Sequence, residues 1–116
     1  MPVRVHTRSR VMVIAVSGDV DLVSVALLEA AVDSAIAGSW PLVVVDLAEL
    51  RFIDVVGARP LRRLVRGLPP ERRTLIANVA APAEPALRWL GLGEVLVTVE
   101  DLPLASDREL AALLGQ

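Results

Sequence analysis

Few side chains in this 116-residue chain could do chemistry. His6 is the single histidine and cysteine is absent, so neither a His pair nor a thiolate set can hold a metal or form a nucleophilic triad. There is no lysine and no glycine-rich phosphate loop, which excludes nucleotide hydrolysis of that type. Four carboxylates, Asp19, Asp21, Asp46 and Asp54, fall at or near the ends of expected strands, where open α/β sheets place their ligands. They could bind a cation, but no alternating Asp/Asn loop with a terminal Glu accompanies them. The plainer expectation for Asp19 and Asp21 is bonding to nearby turn amides. No base stands at a recognisable spacing from a nucleophile and no cofactor fingerprint appears, so a binding protein without cofactor is expected rather than an enzyme.

All twelve basic side chains are arginine, and six of them lie between Arg59 and Arg73 against one acid, Glu71. This local positive patch could meet an acidic partner, an anionic lipid surface or a phosphate. The alternative is the solvated face of an amphipathic helix. A net charge of −2 and a pI near 5.3 argue against a nucleic-acid partner. Of the two tryptophans, Trp89 beside Leu87 and Leu90 reads as core, and Trp40 in a Gly-Ser-Trp-Pro turn reads as the exposed contact.

The elements that must position these residues follow from length and periodicity. The chain has the size of one domain. An apolar fraction of 54% with only 3% aromatics calls for a core of Val, Leu, Ile and Ala. Apolar runs such as Val11 to Val16 are shorter than the roughly 20 residues that cross a bilayer. The N-terminus lacks the apolar stretch of a secretory signal, so a cytoplasmic location without membrane insertion is expected.

Strands are predicted at Val3 to Thr7 and Arg10 to Val16, followed by a turn at Ser17 to Asp21. Leu28, Ala31, Val32, Ala35 and Ile36 then mark one face of a helix. Leu42 to Leu47 follows as a buried central strand. A second amphipathic helix carries Leu61, Leu64, Val65 and Leu68 inside, with Arg59, Arg62, Arg63 and Arg66 on the opposite face. A strand at Thr74 to Val79, a short helix at Pro82 to Leu90 and a strand at Val95 to Val99 continue the alternation. Ser106 and Glu109 have capping-box spacing, which predicts a helix from Asp107 to Leu114.

Two segments together resemble the STAS domain family, named for sulfate transporters and anti-sigma factor antagonists. Val16-Ser17-Gly18-Asp19-Val20-Asp21 is similar to that family's strand and Gly-Glu-Leu-Asp turn. Val44 to Gly57 is similar to its central strand and the Asp-Ser-Ser-Gly signature that opens the next helix. The downstream Leu90-Gly91-Leu92 strengthens the match, which spans Val3 to Val99. The resemblance implies an α/β fold: a single STAS-like domain over 1–116, with a mixed β-sheet of four to five strands and about four helices packed on it. It implies a protein partner, an anti-sigma factor of the kinase type, and it admits a homodimer. The partner-binding surface it points to comprises Asp19, Asp21, Asp54, Val55, Val56, Gly57, Arg59, Arg62 and Arg63.

In the family the first serine of the signature is phosphorylated, and a helix N-terminus with unpaired amides suits an anion there. In this chain Val55 occupies the phosphoacceptor position and Val56 the next, so the surface is expected to be non-phosphorylatable. Asp54 and Gly57 of the signature remain. Pro60 would cost a backbone bond inside a helix, which predicts a helix start nearer Ala58. Two readings follow: an anti-sigma factor antagonist-like regulator without the switch, or a constitutive subunit of a larger assembly such as a stressosome-like scaffold or a lipid-transport complex.

Overall fold

Aliphatic residues fill nearly every position of Val11–Val16 and Leu42–Val45, and these runs form the two central strands in the computed structural model, which describes residues 2–8, 10–79 and 83–97. The elements are β1 (Val3–Arg8), β2 (Val11–Asp19), α1 (Leu22–Ala37), β3 (Leu42–Phe52), α2 (Val55–Gly67), β4 (Arg73–Ala77) and α3 (Glu84–Trp89). A 3-10 turn (Gly93–Val95) and β5 (Leu96–Val97) complete the described chain. The sheet order is β1-β2-β3-β4-β5. β1 runs antiparallel to β2, and every later pair is parallel. The expected mixed α/β sheet is therefore present, with five strands and three described α-helices. The helix expected from Asp107 to Leu114 lies outside the described residues.

Strand periodicity divides the core into two layers. Met12, Ile14 and Val16 of β2, Val43, Val45 and Leu47 of β3 and Ile76 of β4 form one cluster with Leu28 and Val32 of α1, Leu61 and Leu64 of α2 and Leu87 of α3. Their alternates Val13, Val44 and Leu75 are also buried, as expected of parallel strands covered on both faces.

β2 and β3 run further than Arg10 to Val16 and Leu42 to Leu47. The pairing shifts register between Ala15 and Ser17 and again between Gly18 and Asp19, which keeps the strands together until Asp19 faces Phe52. Gly18 has φ 71°, the left-handed conformation that a bulge accepts from glycine. Its polar neighbours therefore read as a turn in sequence while staying in the ladder. At the same carboxyl end of the sheet, β4 stops at Ala77, before a left-handed Asn78 with φ 61°.

α2 begins at Val55 rather than near Ala58. Asp54 caps it, and the Ala58 amide already donates to the Asp54 carbonyl at 3.0 Å. Pro60 leaves the Val56 carbonyl without its usual donor, but Val56 is exposed, so water can take that bond. Buried Ala58, Leu61 and Leu64 hold the helix in place across the proline.

Trp40 and Trp89 exchange the roles expected of them. Trp40 packs against the core, lying so close over Gly38 that a Cβ there would clash with its ring, whereas Trp89 is 80% exposed. Residue 89 stands two steps of about 100° each from inward-facing Leu87, so the same helix turns it outward.

Candidate functional site

Two helices start side by side at one end of the sheet, and each start is fixed by an aspartate. Asp21 caps α1: its Oδ1 accepts from the Val23 amide at 3.1 Å and the Ser24 amide at 2.9 Å. These bonds, the Ser24 amide foremost and then the Ser24 hydroxyl, hold the Asp21 carboxyl below its ordinary value of 3.8. Asp54 caps α2 by accepting from the Gly57 amide at 2.8 Å.

Gly57 brings the two starts together. A Cβ at this position would lie 3.0 Å from the Val20 side chain and 3.1 Å from that of Ile53, so the first turn of α2 sits against the β2–α1 junction only because no side chain intervenes. The Val20 amide donates to the Phe52 carbonyl at 3.0 Å, tying that junction to the end of β3.

Between the helix starts lies a depression of about 260 Å³, lined by Val20, Asp21, Leu22, Val25, Asp54, Val56 and Gly57. Its surroundings are apolar and open to solvent: Leu22 is 89% exposed, Val23 70%, Val56 58% and Phe52 52%. Val55 turns the other way and packs partly against the core. Val55 and Val56 fill the first two helical positions, whose amides have no partner within the helix.

Asp21, Asp54, Val56 and Gly57 thus meet at this depression, whereas Val55 does not line it. Asp19 is at its margin, its carboxylate 3.7 Å from the Arg51 guanidinium across the strand pair, with both side chains exposed. Asp46 lies elsewhere, accepting from the Ala48 amide and the Asn78 side chain at 3.0 Å each. Among the described residues no three His, Cys, Asp or Glu side chains gather as a metal site. Leu22 and Val23 were not singled out by the sequence reading. Their signal is local: two large apolar residues directly after a capping aspartate, in a first turn where side chains rarely reach the core.

Arg73 opens β4, and the other five arginines of the patch divide into three groups. Arg63 donates to Asp33 at 2.7 Å and to the Glu29 carbonyl at 3.3 Å, joining α2 to α1. Arg72 is held at the far end of α1. Arg59, Arg62 and Arg66 remain along the outer side of α2.

Comparison with known proteins follows from this geometry. Residues 3–98 match the family described as Mlab, STAS domain. No curated protein matches the chain. Among solved structures it is similar to an anti-sigma factor antagonist from Mycobacterium paratuberculosis, 26% identical, covering 94% of this chain and 91% of that one with a TM-score of 0.73. The unphosphorylated form of the anti-sigma factor antagonist SpoIIAA is 20% identical, covering 98% of this chain and 97% of its own, with a TM-score of 0.75. The phosphorylated form of the Bacillus cell fate determinant SpoIIAA is 19% identical, covering 96% and 98%, with a TM-score of 0.71. At such identities the two SpoIIAA structures speak for the fold alone.

Proposed function

The chain belongs to the STAS domain family through residues 3–98, and from that membership we propose that it is a non-catalytic protein-interaction module, an anti-sigma factor antagonist working in the cytoplasm. Its partner is an anti-sigma factor of the kinase type. The observation that carries this reading is the exposed apolar platform of Leu22, Val23, Phe52 and Val56 around the paired helix starts. Large apolar side chains gathered on a water-facing surface are the mark of a docking site. Likeness to an anti-sigma factor antagonist at 26% identity supports the same partner class.

The complex is not released by phosphorylation. Valine at position 55 offers no oxygen to a kinase, and Ser24 is buried in the first turn of α1.

Calorimetric titration of the intact chain against the kinase-type anti-sigma factors of its host tests the proposal. One of them binds, and Leu22→Asp combined with Val56→Asp weakens that binding about tenfold or more with an unchanged thermal midpoint. No binding by any of them, or equal binding by the double variant, refutes it. Mass spectrometry after incubation with ATP and the bound kinase finds no phosphorylated chain; phosphate at Ser17 or Ser24 would contradict the unswitchable surface. Stable recovery from the host inside a transporter or ring assembly instead selects the constitutive-subunit reading.

A further inference from the structure

α2 contains four arginines and no acid. One of them, Arg63, is neutralised by Asp33. The remaining three, Arg59, Arg62 and Arg66, stand at i, i+3 and i+7, the spacing of a single helical stripe. Among the described residues, none of their guanidiniums makes a hydrogen bond or ion pair. Arg62 adds a separate observation. Its side chain is half-buried, and its Nε is shut off from solvent without an acceptor. A buried charged donor left unmatched is costly, and a partner that delivers an acceptor recovers that cost. On the helical wheel Arg62 lies about 140° from Gly67, which contacts Ile36 of α1, so the stripe faces away from that helix.

We propose that the Arg59–Arg62–Arg66 stripe receives an acidic helical segment of a protein partner. The three cations span about 10 Å, two turns of helix, and a partner helix with carboxylates at the same spacing matches them one to one. A lipid surface suits the stripe less well, because polybasic lipid sites use about four to eight cations on an open face. A nucleic acid is disfavoured by the net charge of −2. The inference rests on reading the chain as a protein-interaction module but is carried by cations and not by the apolar platform, so the two can fail separately.

The test is an NMR titration of the isotope-labelled full chain with a synthetic helical peptide of about four turns bearing Glu at i, i+3 and i+7. The Arg59, Arg62 and Arg66 Nε–H signals shift on binding, and added salt weakens it. Arg62→Gln with Arg66→Gln raises the Kd about tenfold. Arg63→Gln, which removes a charge already neutralised by Asp33, leaves it unchanged. Equal shifts with a Gln-for-Glu peptide, no shift of these signals, or a response to anionic phosphatidylglycerol vesicles alone would overturn the proposal.

Discussion

At the residue scale, the aspartate caps are the part of the site most open to reading from sequence, because a cap is a local interaction. Asp21 and Asp54 each bond amides within three residues, so residue type and spacing suffice to suggest them. Arg63 and Arg72 are the opposite case: their partners lie about thirty or more residues away in sequence, and helical periodicity placed Arg63 on an outward charged face. A pH experiment checks the Asp21 cap. The folded state lowers the Asp21 pKa below 3.8, so in the acid range the unfolded chain binds the proton more readily and stability rises with pH. The contribution of the cap is therefore complete above the unfolded value and is lost as pH falls through the lowered folded value. Asp21→Ala should lower the melting midpoint at neutral pH, with the deficit shrinking as the solution is acidified below pH 4 or so. Asp21→Asn retains an amide acceptor and should keep most of the neutral-pH stability while losing this pH dependence. A deficit for Asp21→Ala that stays constant across that range would refute the assignment.

At the element scale, the order of strands and helices was legible because short continuous aliphatic runs such as Val11–Val16 and Leu42–Val45 alternate with longer segments whose apolar residues recur every three or four positions. Their ends were less so. The bulge at Gly18 hides strand continuation behind turn-like residues, and the Asp54 cap starts α2 ahead of a proline that argued for delay. The C-terminus of α1 shows most plainly what local pattern lacks. Its last turn has no basic residue, and its carbonyls are served instead by Arg72, which donates to Ala35, Ile36 and Trp40 at 2.7, 3.3 and 2.8 Å. One planar guanidinium thus closes α1 and fixes it to the segment leading into β4. Arg72→Ala should destabilise the chain by about 2 kcal/mol, since it removes charge-assisted bonds from partly buried acceptors. Arg72→Lys should recover little of this, because a compact ammonium cannot reproduce the fork. Chemical denaturation of the three proteins measures both effects, and a lysine variant as stable as the parent would remove the geometric argument.

At the scale of the whole molecule, one helix-side cluster draws side chains from β1 to β4 and from all three described α-helices, so these elements should lose their structure together. The two tryptophans provide a test. Trp40 packs against that cluster, and Trp89 stands in water. Unfolding should change the surroundings of Trp40 and leave those of Trp89 nearly as they were, so the fluorescence change belongs to residue 40. Trp89→Phe should keep most of the fluorescence amplitude, with a midpoint matching that of far-ultraviolet circular dichroism. Trp40→Phe should abolish most of the amplitude while circular dichroism still reports a transition. Separate midpoints from the two probes would break the single cooperative unit into parts. Retention of the amplitude by Trp40→Phe would restore Trp89 to the core that its neighbours Leu87 and Leu90 suggested.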